Sequence, residues 1–165
     1  MLKIAVLTIS DTRTLADDRS GQVLIERLNA AGHVLAERAL VPDSIYRIRA
    51  VVSAWIADDC TQVILTTGGT GVTGRDGTPE AITPLLDKQL EGFGELFRSV
   101  SFTRIGTSAM QSRCLAGVAN GKYIFCLPGS VDACETGWDH ILKAQLDLNT
   151  RPCNFASILG RLKER

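Results

Sequence analysis

The chain has 165 residues, close to the ~150 of a typical domain, so one domain spanning the whole length is expected. Hydrophobic residues at 45% and charged residues at 22% form an ordinary globular mix, which excludes disordered, collagenous and disulfide-scaffold chains. Eighteen Lys and Arg balance eighteen Asp and Glu, and aromatic residues make up only 5%, so no nucleic-acid partner is expected.

The longest apolar runs, residues 4–7 and 63–65, fall far short of the ~20 needed to span a bilayer. The N-terminal Met1-Leu2-Lys3-Ile4 leads into a strand-like run without a signal peptide's cleavage pattern. A cytoplasmic protein with no membrane partner is expected. The five cysteines are an odd number with no C-x-x-C pair, and four sit in apolar company. They read as buried, reduced thiols, and no zinc or haem centre is expected.

In chain order, residues 3–9 form a continuous apolar run rich in branched side chains, the pattern of a strand buried on both faces. Residues 20–32 read as a helix carrying Leu24, Ile25 and Leu28 at helical spacing, followed by a half-alternating strand over 33–41. Pro42-Asp43-Ser44 opens a helix whose Ile45, Ile48, Val52, Trp55 and Ile56 share one face. Residues 62–67 are a third strand ending in glycine. Three strands alternating with helices imply a parallel sheet covered on both faces, with ligands at the strands' carboxyl ends.

Thr78-Pro79-Glu80 begins a short helix with proline at its first position, and Phe93, Leu96, Phe97 and Val100 mark another. Asn120-Gly121 is a hairpin signal between strands at 113–119 and 122–127, which puts one antiparallel strand in the sheet. Pro128-Gly129-Ser130 leads into a last helix carrying Cys134, Trp138, Ile141 and Leu142.

The richest segment for chemistry runs from Thr66 to Glu80. Residues 69–74 spell G-x-G-x-x-G, but after the third strand and without the acidic residue that a dinucleotide site requires. Arg75 and Asp76 stand where a phosphate loop of the G-x-x-x-x-G-K-[ST] type needs lysine and a hydroxyl. What survives is a nest of backbone amides suited to an anion, set against a glycine-rich turn that only reverses the chain. Asp11, Asp43 and Asp76 each follow one of the three strands. Each could be a cap or turn former, but three carboxylates beside a phosphate call for a hard cation such as Mg²⁺. Asp17 and Asp18 lie mid-loop and read as solvated.

Pro128, Gly129 and Ser130 offer either a second anion site or a plain N-cap. Ser108, Ser112 and Arg113 could line the space between, with Arg113 either a bidentate phosphate ligand or a surface charge. His33 and His140 read as structural or exposed. An enzyme built this way would work by positioning and electrostatics, as phosphoryl-type transfer does.

Thr66-Thr-Gly-Gly-Thr-Gly71 followed by Arg75-Asp76-Gly-Thr78-Pro79-Glu80 resembles the molybdopterin-binding signature of the MoaB/MogA family of molybdenum cofactor biosynthesis proteins. Ser10-Asp11, Pro42-Asp43, Gly92-Phe-Gly-Glu95, Gly106-Thr-Ser-Ala109, Gln111-Ser-Arg113 and Leu127-Pro-Gly-Ser130 match in order, over nearly the whole chain. Ala116-Gly-Val-Ala-Asn-Gly121 and Thr150-Arg-Pro-Cys-Asn-Phe155 resemble the bacterial MoaB branch. The resemblance implies a three-layer α/β/α molybdopterin-binding fold with residues 150–165 as a tail, assembled as trimers or hexamers. It also implies adenylyl transfer from Mg·ATP to the terminal phosphate of molybdopterin, the alternative being a binding paralogue with little catalysis.

Carried over by motif, Asp43 and Asp76 would serve metal and catalysis. Ser10, Asp11, Thr67, Gly68, Gly69, Thr70, Gly71, Ser108, Arg113, Pro128, Gly129 and Ser130 would bind substrates. In two places the chain departs from the family pattern. Gly77 replaces a residue that is more often β-branched and should loosen the turn after Asp76, and Asp132 could oppose an anion at Gly129.

Overall fold

In the computed structural model, which describes residues 1–164, the apolar run Lys3–Ile9 forms β1. Its side chains alternate between two cores, Ile4 and Val6 entering one and Ala5, Leu7 and Ile9 the other. A strand buried on both faces belongs in a sheet interior. β1 pairs in parallel with β2 (Val34–Val41) on one side and β3 (Val63–Thr67) on the other. β3 pairs in parallel with β6 (Lys122–Leu127). β5 (Leu115–Ala119) runs antiparallel to β6, and a two-residue strand β4 (Lys88–Gln89) closes the edge, giving the order β2-β1-β3-β6-β5-β4. Asn120 and Gly121 turn the hairpin with φ of 46° and 74°, both positive as a type I′ turn requires.

Helices cover both faces. α1 (Arg19–Ala30), α4 (Glu91–Ile105) and α5 (Val131–Gly137) pack Leu24, Leu28, Phe97 and Cys134 against Ile4, Leu65 and Phe125. α2 (Ile45–Ala57) and α3 (Thr78–Ile82) pack Ile48, Val52, Trp55 and Ile82 against Leu7, Ile64 and Ile124. The result is the three-layer α/β/α arrangement with a mostly parallel sheet. After α5 the chain passes through a π-helical turn (Trp138–Leu142) into the short α6 (Lys143–Gln145). In the C-terminal segment α7 (Phe155–Ile158) returns to the sheet, with Phe155 4.8 Å from the Tyr123 ring.

Several expectations are corrected. β4 has too few residues to show a pattern, and β5 begins at Leu115, which leaves Arg113 in the preceding loop. Cys114, Cys126 and Cys134 are buried, but Cys60 and Cys153 are exposed, so three thiols and not four sit in apolar surroundings. Asp18 is not solvated. It is 3% exposed, caps α1 through the Gly21 amide, accepts from the Thr8 hydroxyl at 2.7 Å and pairs with Arg38 at 3.1 Å. Burial works to raise its carboxyl pKa, but those three partners together hold it below the ordinary value. Among the described residues no helix is long and apolar enough to cross a membrane.

The topology decides where chemistry can gather. Because β1, β2, β3 and β6 are parallel, the loops after all four leave the same edge of the sheet. β5 runs the other way, so the loop that enters it, residues 112–114, arrives at that edge as well.

Candidate functional site

Those loops enclose a cleft of about 600 Å³. It brings together Ser10, Asp11, Asp43, Gly68, Gly69, Thr70, Gly71, Asp76, Ser108, Pro128, Gly129 and Ser130, nearly all the expected site residues.

Its centre is the turn after β3. Gly68 and Gly69 have φ of 108° and 64°, which side chains rarely adopt. A Cβ on Gly68 would lie 2.1 Å from the Ile9 carbonyl oxygen, and one on Gly129 would lie 3.1 Å from the Gly68 Cα, so the two glycine loops touch. The buried Thr78 takes up the loop's carbonyls, its hydroxyl donating to Gly68 O at 2.8 Å and its amide to Gly69 O at 2.9 Å. Among the described residues the Gly69 and Thr70 amides donate to no hydrogen bond. With its carbonyls turned inward and these amides left over, the loop has the polarity of an anion nest.

The three carboxylates differ. Asp11 is neutralised: Arg75 donates to both its oxygens at 2.9 and 2.7 Å, and the Asp43 amide adds a third bond at 3.0 Å. The Arg75 hydrogen bond and that amide hold its carboxyl below the ordinary value. Asp76 braces the loop by accepting from the Thr73 amide at 2.8 Å and hydroxyl at 2.7 Å. Led by the Thr73 hydroxyl, these bonds lower its carboxyl as well. Asp43 is different in kind. One oxygen accepts from the Gly77 amide at 3.1 Å, and the other accepts no hydrogen bond among the described residues. Burial, with Asp76 and Asp11 nearby, raises its carboxyl above the ordinary value.

Two expected site residues are placed differently. Thr67 is fully buried, its hydroxyl turned to the Pro128 carbonyl at 3.0 Å and the Cys134 sulfur at 3.2 Å, so it ties β3 to the Pro128 loop from behind. Arg113 does not line the cleft. Its guanidinium donates to the Gly71 carbonyl at 2.6 Å and the Asp76 carbonyl at 2.9 Å and pairs with Glu80, which fastens the loop from outside. Ser130 caps α5 by accepting from the Ala133 amide at 3.1 Å. Asp132 is matched by Arg104, which counters its opposition to an anion at Gly129. The turn at Gly77 is held by the bond to Asp43, and a Cβ there would press on Ile45 at 3.2 Å.

Thr8, Thr12, Arg13, Ser20, Arg75, Gln111 and Ser112 also line the cleft. Of these, Arg13 and Arg75 carry charge; Arg75 belongs to the matched signature without an expected site role, and Arg13, a lone arginine in a loop, carries no sequence signal.

Among the described residues, no group of three or more His, Cys, Asp or Glu could hold a metal ion. Mg²⁺, however, is commonly bound by one or two carboxylates together with substrate phosphates and water. The free oxygen of Asp43 beside Asp76 fits that pattern: hard donors, negative, and too few to close a shell alone.

Comparison with known proteins gives consistent results. Residues 5–147 match the family described as "Probable molybdopterin binding domain". Molybdenum cofactor biosynthesis protein B of Escherichia coli K12 is 54% identical over 153 residues, covering 93% of this chain and 90% of that protein. A crystal structure of a molybdenum cofactor biosynthesis protein B superposes with a TM-score of 0.89 at 39% identity, covering 99% of this chain and 97% of that one. The molybdopterin biosynthesis enzyme MoaB of Thermus thermophilus superposes at 0.78 with 35% identity, covering 86% of this chain and 90% of that one.

Proposed function

Since the chain belongs to the molybdopterin-binding family of the MoaB and MogA proteins, we propose that it acts in molybdenum cofactor biosynthesis by binding molybdopterin and transferring adenylate to it from Mg·ATP. The observation that carries this reading is one cleft holding both a loop with free amides and an ionisable carboxylate, Asp43, without a cation partner. A pterin alone would not require that carboxylate. An exchange between two phosphate groups gives it a use, because the negative charge of both reactants calls for a cation and the carboxylate would help to hold that cation.

In this reading an oxygen of the terminal phosphate of molybdopterin attacks the α-phosphorus of ATP. A P–O bond forms, the bond to the β-phosphate oxygen breaks, and pyrophosphate leaves. A phosphate monoester has a second pKa of about 6 and is mostly ionised at neutral pH, so no general base is required. The Gly69 and Thr70 amides orient a phosphate, and Arg113, Thr78 and Asp76 keep that loop rigid. Asp43 and Asp76 would hold Mg²⁺, which supplies positive charge against the phosphates during transfer. The direct test is pyrophosphate release. It should require molybdopterin, ATP and Mg²⁺ together, and release without the pterin would contradict the reading.

We propose further that the protein works as a homo-oligomer, a trimer or hexamer. Of the three phenylalanines around α4, Phe93 and Phe97 lie in the chain's own core, so they are not available for a subunit contact. Phe102 is 58% exposed, with Ile105 and Met110 also exposed nearby, and this surface would be covered by a second copy. Light scattering should give three or six times the 17.8 kDa chain mass; a stable monomer at micromolar concentration would contradict it.

A further inference from the structure

Two arginines, Arg13 and Arg75, line the cleft, and several others near it are held by carboxylates. Arg38 pairs with Asp18, Arg75 with Asp11, Arg104 with Asp132 and Arg113 with Glu80. Arg13 lines the cleft and is half-buried, yet among the described residues it forms no ion pair and its side chain donates no hydrogen bond. One of its terminal nitrogens, Nη1, is shut off from solvent without a partner. The nearest acid in sequence on the following loop, Asp17, is occupied by the Thr14 amide and hydroxyl at 2.5 and 3.0 Å. The Arg13 charge is felt by Asp17, but a guanidinium nitrogen sealed from solvent without a hydrogen-bond partner is still uncommon.

The backbone around Arg13 is fixed. Its own amide donates to the Ser10 hydroxyl at 3.2 Å, as does the Thr12 amide at 3.3 Å, so a tight turn directly after β1 sets the direction of the side chain. Nη1 is closed to solvent and ligand alike, but the rest of this half-buried guanidinium lies at the cleft wall with no hydrogen bond or ion pair among the described residues, free to take an anion that enters the cleft. We propose that Arg13 binds a phosphate group of the ligand in the cleft, as its cationic contact opposite the glycine loop. A guanidinium suits this task because its planar fork matches two phosphate oxygens at once. The assignment also explains why Arg75, the other cation of the cleft, does not serve: Asp11 already occupies its fork.

This inference rests on the reading of the cleft as a phosphate-ligand site, and two phosphates could meet it: that of molybdopterin and those of the nucleotide. Calorimetry on the full chain separates them, with molybdopterin as one probe and inorganic pyrophosphate with an ATP analogue carrying a methylene between the α- and β-phosphates as the other. Arg13→Gln should weaken one class by about 10- to 100-fold, the range for a charge-assisted contact, and the class affected identifies the source. Arg13→Lys should recover part of the loss, since it restores the charge without the fork. Thermal unfolding of Arg13→Gln should be unchanged or improved, because an unpaired buried donor is removed. Wild-type affinity for both classes in Arg13→Gln would overturn the assignment, as would a binding loss that tracks loss of fold and is not recovered by lysine. If the wild-type protein binds neither class, the reading of the cleft fails first, and the role of Arg13 falls with it.

Discussion

Asp43→Asn is expected to leave pterin binding nearly intact while slowing adenylyl transfer by about 100-fold or more, the loss typical of removing one preorganised electrostatic contact. The substitution is close to neutral in shape. The amide oxygen can still accept from Gly77, and what disappears is the charge on the oxygen that has no partner. Asp76→Asn is a poorer probe. Its carboxylate oxygen takes both the amide and the hydroxyl of Thr73, so the variant would disturb the glycine loop and binding along with charge.

The same Asp43 variant should be slightly more stable, by about 0.5 kcal/mol. Burial, with Asp76 and Asp11, raises the Asp43 carboxyl in the folded state, so ionisation there costs stability. A raised folded value means the cost is absent below the unfolded carboxyl range near pH 4 and complete once pH has passed the folded value. The variant's advantage in thermal unfolding should therefore appear at neutral pH and vanish in acid. A variant less stable than wild type at pH 7, or equally fast in transfer, would remove Asp43 from the site's chemistry.

Gly68→Ala should be the most damaging single change to the scaffold, costing about 3 kcal/mol or more. Its φ of 108° is unsuited to a side chain, and the added methyl would sit 2.1 Å from the Ile9 carbonyl oxygen, a backbone atom at the end of the interior strand β1 that cannot readily move aside. Gly74→Ala, further along the same loop, is the control: nothing lies within 4 Å of its Cβ position, and its φ is not positive. It should unfold in urea within about 0.5 kcal/mol of wild type. Equal midpoints for the two variants would show that the close packing of the glycine loop on β1 is not a constraint.

Local pattern makes most of this protein legible. The unbroken apolar run from Lys3 marks an interior strand, the Asn120-Gly121 pair marks the hairpin, and the glycines after Thr67 mark the turn where the amides are free. What local pattern misses is pairing between residues distant in sequence. Asp18 looks like a loop acid until Arg38, on the neighbouring strand, is placed against it. Asp11 looks available until Arg75, 64 positions on, closes over it. Arg113 looks like a phosphate ligand until the Gly71 and Asp76 carbonyls take its donors. In each case the residue reads correctly as polar, but its partner depends on tertiary packing that no local window contains. Arg13 is the reverse case, conspicuous only because the folded chain supplies it no partner.

The measurement that bears most directly on the proposed activity is transfer of a label. Purified protein is mixed with molybdopterin, Mg²⁺ and ATP labelled in the α-phosphate, and the pterin is then separated and counted. The expected result is label on the pterin, with one pyrophosphate released per label transferred, and a rate that falls in Asp43→Asn while the pterin still binds. Molybdopterin bound tightly by the wild-type protein with no label transferred would contradict adenylyl transfer and leave a pterin-binding protein of the same fold.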